Sequence, residues 1–345
     1  MSESTGQRIV FVARPEGMPD ERHLRLESMP IPKPQAGQML LRTIYLSLDP
    51  YMRGRMAAGK SYAAPQEIGQ TMQGGTVAEV MESHVDGFKP GDLVLCANGW
   101  QTHALSDGKG VRKLDPQQAP ISTAVGVMGM PGFTAYVGLL ELGKPKSGET
   151  VVVSAAAGAV GQVVGQIAKL HGCRVVGIAG AQDKCDYVVN ELRFDAAVNH
   201  RSPTLAEDLA AACPNGIDVY FENVGGEVLQ AVLPLFNDFA RMPVCGIIAH
   251  YNDTGMPEGP DKLPGFLRTV LSRRIMVRGF IQFDFAERFP DFLRDMGGWL
   301  KNGQVRYRED VVQGLENAVT AFQGLLQGRN RGKLLVQVGA DPTKG

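Results

Sequence analysis

Val151-Val152-Val153-Ser154-Ala155-Ala156-Ala157-Gly158-Ala159-Val160-Gly161-Gln162-Val163-Val164-Gly165 is the stretch that decides the fold. Three consecutive valines read as a buried strand and the small residues after them as a tight turn. Val160, Val163, Val164 and Ile167 then recur at helical spacing. A strand, a glycine-bearing turn and a helix in that order suit a dinucleotide. Gly158 lets the backbone approach a pyrophosphate, the helix N-terminus favours its charge, and Gly161 permits close packing of helix on strand. Lys169 and His171 fall at the other end of the helix, where Gly172 can stop it. The stretch departs from G-x-G-x-x-G at Ala156, which holds the first glycine position. A helix–sheet packing loop without a ligand is the plain alternative.

The next strand decides between cofactors. An NAD enzyme usually carries Asp or Glu at its end, on the ribose hydroxyl. This chain has Ala179-Gly180-Ala181-Gln182, followed by Asp183 and Lys184, with Arg201 after the following strand. An uncharged floor with cations nearby suits a 2′-phosphate, so NADPH is expected over NADH. Asp183 reads as a helix N-cap.

Outward from this stretch, β-like runs recur at residues 174–179, 196–199, 217–221, 244–249 and 275–280, separated by helical patterns. Such alternation predicts an α/β unit with a doubly wound parallel sheet. Before residue 125 the chain reads instead as short strands broken by Gly and Pro turns, among them Pro90-Gly91-Asp92, as in a β-barrel. A helix carrying Leu315, Val319, Phe322 and Leu326 ends near Gly328, and a last strand over 333–338 returns to the first unit. The expected domains are 1–125 with 313–345, and 126–312.

Composition narrows the class. The 345 residues carry 35 Lys+Arg against 36 Asp+Glu. That balance gives no electrostatic footprint for nucleic acid or an anionic membrane. Apolar runs such as 9–13 fall short of both a bilayer span and a signal segment. Five scattered cysteines without a C-x-x-C pair suit free thiols, and so a cytoplasmic protein. Cys245 looks like a nucleophile only in isolation; a buried strand would make it inert.

Asp49-Pro50-Tyr51-Met52-Arg53, Gly129-Met-Pro-Gly-Phe-Thr-Ala-Tyr136, 155–161, Phe221-Glu-Asn-Val-Gly-Gly226, Cys245-Gly246 and Gly328-Arg-Asn-Arg-Gly-Lys333 follow one another along nearly the whole chain. In these motifs the chain resembles the zinc-independent medium-chain dehydrogenase/reductases, in the leukotriene/prostaglandin reductase and plant double-bond reductase group. The resemblance implies a GroES-like β-barrel substrate domain, a Rossmann domain and a homodimer formed through the Rossmann sheets. It implies pyrophosphate contacts from Gly158, Ala159, Val160 and Gly161, and 2′-phosphate contacts from Lys184 beside Gly180. Asn223 and the segment from Cys245 and Gly246 to Tyr251 would contact the cofactor. Phe280, Ile281 and Gln282 would line the nicotinamide, and Asn330 would make a phosphate-side contact. His200 stands where much of the family has Tyr near the adenine phosphate.

Zinc-dependent relatives need Cys, His and acid ligands and often a four-cysteine cluster. Here Asp49-Pro50-Tyr51 stands in the first ligand region, and His84 and His103 are isolated, so no metal is expected. Without one, hydrogen-bond donors must polarise a carbonyl, which suits hydride addition to the β-carbon of a hydrophobic enone, diarylheptanoids included. Tyr251 is the leading donor candidate and Tyr51 the second. A phenol is normally protonated near neutral pH. Met52, Tyr62 and Phe280 are candidate pocket walls, although such side chains more often form plain core. Quinone reduction is a neighbouring expectation, and an NADPH-binding sensor without turnover is the alternative of another class.

Overall fold

The computed structural model describes residues 5–255 and 259–344. The chain divides into two compact units, 1–126 with 309–345, and 127–308.

The first unit opens with strand β1 (Thr5–Phe11), antiparallel to β2 (Leu24–Pro30). Next come β3 (Met39–Ser47), the short helix α1 (Tyr51–Arg55), β4 (Thr76–Ser83), β5 (Leu93–Cys96), β6 (His103–Ser106) and β7 (Arg112–Lys113). Strand β3 is central, antiparallel to both β4 and β6. Pro90-Gly91-Asp92 makes the expected turn into β5, with Gly91 at φ +86°.

In the second unit, Pro131 sits in the first turn of α2 (Met130–Val137), which runs on as a wider π-helical turn to Gly143. Strands and helices then alternate. They are β8 (Thr150–Ser154), α3 (Gly161–Leu170), β9 (Arg174–Ala179), α4 (Gln182–Asn190), β10 (Ala196–Asn199), α5 (Leu205–Ala212) and β11 (Ile217–Phe221). After these come α6 (Gly226–Val232), β12 (Phe236–Val244), α7 (Leu263–Arg273), β13 (Met276–Gly279) and α8 (Phe289–Lys301). The sheet order is β10-β9-β8-β11-β12-β13 with every pair parallel. Parallel sheets are covered on both faces. Accordingly Val151 and Val153 join one buried cluster with Val163, Val164 and Ile167 of α3, while Val152 joins another on the opposite face. That explains why β8 is an unbroken valine run.

The chain then returns to the first unit through β14 (Glu309–Gln313), α9 (Ala318–Leu326) and β15 (Lys333–Gln337). Strand β14 pairs residue for residue with β15, which lies antiparallel to β3. This pairing puts the return at Glu309, four residues before the expected 313. Phe322 of α9 is fully buried, edge-on to Trp100 at 5.6 Å between ring centroids.

Two local expectations are corrected. Of the apolar run 244–249 only Val244 is strand, the last residue of β12. The backbone N–H groups of Cys245 and Gly246 bond Glu222 O, and those of Ile248 and Ala249 bond Asn223 O and Val224 O, so the segment folds over the end of β11. The N-cap of α4 is the extended residue Ala181; Asp183 lies in the first turn, where its charge still favours the helix dipole. Among the described residues no helix is long and apolar enough to cross a membrane.

Candidate active site

The turn after β8 is built from alanines and glycines packed at the limit of contact. Ala155 takes the left-handed conformation, φ 50°, and its carbonyl accepts the Gly158 N–H at 2.9 Å. A Cβ on Gly161 would lie 2.3 Å from that same carbonyl oxygen, and one on Gly158 would lie 3.1 Å from it. No side chain caps α3; Gln162 and Val163 of its first turn donate to the carbonyls of Gly158 and Val160, and the positive end of the helix dipole at Gly161 favours an anion at the turn. Gly158, Ala159, Val160 and Gly161 thus form a backbone cradle that fits a pyrophosphate. The missing first glycine is replaced by strain: Ala156 is fully buried, and Ala155 carries the positive φ.

Strand order reverses between β8 and β11, and ligands of such sheets bind beyond the strand ends at that point. The structure stitches these two ends together. Asn223 donates its backbone N–H to Ser154 Oγ and its side-chain amide to Ser154 O, both at 2.8 Å. Behind them Glu222 is fully buried. Its Oε1 accepts from Ser154 Oγ at 3.1 Å, Tyr220 OH at 2.9 Å, Val224 N at 2.7 Å and Gly225 N at 3.0 Å. Ser154 and Glu222 were not anticipated as site residues. Glu222 was visible only as part of the Phe221–Gly226 motif, and a buried acid has no sequence signature of its own.

Past β9, the ring of His200 covers Gly180: a Cβ there would meet His200 Nε2 at 2.9 Å. Burial, then the positive charges of Arg201 and Lys184, push the His200 imidazole below its ordinary value. The cations expected to flank a 2′-phosphate therefore share one neighbourhood.

The Cys245–Tyr251 segment borders the same strand ends. Cys245 lies just beyond β12, and burial followed by the charge of Glu222 pushes its thiol up to about 12, so it stays protonated. Tyr251 lays its hydroxyl over Gly246, 2.9 Å from where a Cβ would stand. Of the segment after β13, the side chain of Phe280 is buried against Phe221 and Phe285, which leaves its backbone for any cofactor contact. Ile281 and Gln282 open the following 3₁₀ turn. Met52 is likewise core, not wall, whereas Tyr62 is 54% exposed.

Tyr51 and Asn330 belong to the first unit. Asn330 donates to Gly332 O at 2.8 Å. Tyr51 starts α1, and its acidity is lowered by burial and by the charge of Asp49. Asp49 is engaged by the buried Lys333 ammonium at 2.7 Å and by the Ser47 hydroxyl. Among the described residues no three His, Cys, Asp or Glu side chains are grouped to hold a metal ion.

The chain matches the families described as N-terminal domain of oxidoreductase, over residues 7–114, and zinc-binding dehydrogenase, over 159–297. It is 51% identical to the NADPH-dependent curcumin reductase of Escherichia coli (strain K12), covering 97% of each chain. The chain belongs to the medium-chain dehydrogenase/reductase family, in its double-bond reductase group. Other members of the family are similar along their full length. The NADP(+)-dependent 2-alkenal reductase of Nicotiana tabacum is 40% identical, with 97% of this chain and 98% of that one covered. The crystal structure of CurA from Vibrio vulnificus in complex with NADPH is 52% identical, with a TM-score of 0.94 over 97% of this chain and 100% of that one.

Proposed function

We propose that this reductase saturates the C=C bond of α,β-unsaturated ketones and aldehydes at the expense of NADPH, curcumin-like enones among them. The reading is carried by full-length likeness to enzymes named for NADPH-dependent reduction of curcumin and of 2-alkenals. When bound, NADPH supplies a hydride from its nicotinamide ring to the enone β-carbon.

The chain's own residues do the rest. The turn from Gly158 to Gly161 and the N-terminus of α3 hold the pyrophosphate. Lys184, with His200 over Gly180 and Arg201 nearby, holds the 2′-phosphate. Asn223, Cys245 and Gly246 contact the cofactor, Phe280, Ile281 and Gln282 line the nicotinamide chiefly through backbone, and Asn330 adds a phosphate-side contact. Tyr251 donates a hydrogen bond to the carbonyl oxygen as negative charge builds there, and Tyr51 is the second donor. One such donor contributes about 2.7–4 kcal/mol to the transition state. A proton reaches the α-carbon from Tyr251 or from water.

A cytoplasmic homodimer completes the reading. All five cysteines are free, which suits a reducing compartment. Leu263, Leu267 and Leu271 of α7 and Val277 of the edge strand β13 are exposed apolar side chains in the Rossmann unit, where a second copy would cover them.

The test follows NADPH and NADH absorbance with a panel of enones and identifies products by mass. NADPH-selective consumption yielding the saturated carbonyl compound, with kcat lowered about 100-fold or more in Tyr251→Phe, is the expected result. NADPH binding without consumption across the panel would refute the proposal.

A further inference from the structure

Arg55 closes helix α1 and is only 9% exposed. Its guanidinium carbon lies 4.6 Å from the centroid of the Tyr62 ring and 5.7 Å from that of Tyr51. Its polar contacts are thin. Nη1 donates one long bond to Ala64 O at 3.4 Å, and Nε is buried without a partner. Among the described residues no carboxylate pairs with it, because Asp49, the acid nearest in sequence, is occupied by Lys333 and Ser47. Arg53, two residues earlier on the same helix, makes the contrast: it is buried too, but it donates to Gly17 O at 2.9 and 3.2 Å and ties down the 15–17 loop. Arg53 has a structural task and Arg55 lacks one.

A buried cation without a counter-charge is costly, and contact with two aromatic rings offsets only part of that cost. Such a charge is of use where negative charge forms transiently nearby, since it then stabilises the transition state more than the ground state. Enone reduction meets that condition. Two electrons enter at the β-carbon with the hydride, the C=C pair shifts toward the carbonyl, and oxygen carries the enolate charge until the α-carbon takes a proton.

We propose that Arg55 is a positioning residue for this reduction, its uncompensated charge beside Tyr51 strengthening the Tyr51 hydroxyl as a donor to the enolate oxygen. The inference rests on the reading that Tyr51 faces the substrate. Two observations agree with it. No described group hydrogen-bonds the Tyr51 hydroxyl, and the charge of Arg55 opposes burial and Asp49 in setting its acidity.

The test compares Arg55→Met, which keeps length without charge, with Arg55→Lys, which keeps charge, on a series of para-substituted 4-aryl-3-buten-2-ones. The NADPH dissociation constant and the melting temperature are measured alongside. The expected result is a kcat about 10- to 100-fold lower in R55M, within about threefold of wild type in R55K, with NADPH affinity unchanged. R55M also responds more steeply to electron-withdrawing substituents, because the substrate must carry more of the charge itself. Should R55M not fold, the cycle of Arg55→Gln, which also removes the charge, with Tyr51→Phe decides: losses that couple support the proposal, and losses that add overturn it. Equal losses in R55M and R55K with an unchanged substituent response would also overturn it, assigning Arg55 to packing. Wild-type protein inactive on the whole series would instead refute the functional reading, and this inference with it.

Discussion

The side-chain amide of Asn223 donates to the carbonyl oxygen of Ser154 at 2.8 Å, across the one place where the order of the parallel sheet reverses. The ends of β8 and β11 are thereby tied together beside the 155–161 turn. Asn223→Ala removes that bond and leaves the Ser154 carbonyl unpaired. A stability loss of about 1 kcal/mol is expected, read from chemical denaturation. The NADPH dissociation constant, read by fluorescence titration, rises about tenfold.

The cradle itself predicts opposite outcomes for two neighbouring small-residue exchanges. Gly161→Ala puts a methyl group 2.3 Å from the Ala155 carbonyl and forces the turn open, costing about 1–3 kcal/mol and most NADPH affinity. Ala155→Gly relieves a residue held at φ 50° and leaves stability unchanged or raises it by up to about 1 kcal/mol. Thermal unfolding of the two variants checks both.

In the proposed function Lys184 carries the preference between cofactors. Lys184→Ala should raise KM for NADPH about 10-fold or more while KM for NADH moves less than about threefold, since a charge-assisted phosphate contact is lost from one cofactor only. Equal changes for both would remove Lys184 from the 2′-phosphate site.

The fold was legible where one interaction dominates. Residues 151–165 could be read because a strand buried on both faces must be apolar throughout and a helix start over a phosphate must be small. The run 244–249 misled for the complementary reason. Its apolar residues signal burial, but hydrogen bonds to Glu222, Asn223 and Val224 over a distance in sequence decide that it leaves the sheet. Phe280 shows the same limit within the site, since its place in sequence could not reveal that its ring turns into the core against Phe221. Glu222 and Arg55 were invisible because what marks them, four donors gathered on Glu222 Oε1 and an unpartnered Nε on the buried Arg55, is a property of three dimensions.

The thiols set an alkaline limit on stability. Burial raises Cys96, Cys173 and Cys213 to about 11 and Cys245 to about 12, against an ordinary value of 9.0. Above pH 9 the unfolded chain releases these protons while the folded one retains them, so folding stability falls as pH rises toward 11–12 and is unaffected by these groups below 9. Urea unfolding midpoints from pH 8 to 11 should decline accordingly. At pH 8 a thiol reagent should label the native protein far more slowly than the unfolded one.

Turnover of an enone with NADPH deuterated at the transferable position of C4 tests the central claim most directly. The account predicts one deuterium on the former β-carbon of a saturated ketone, with the carbonyl intact by mass and NMR. Deuterium on a carbinol carbon, as in an allylic alcohol, would contradict it.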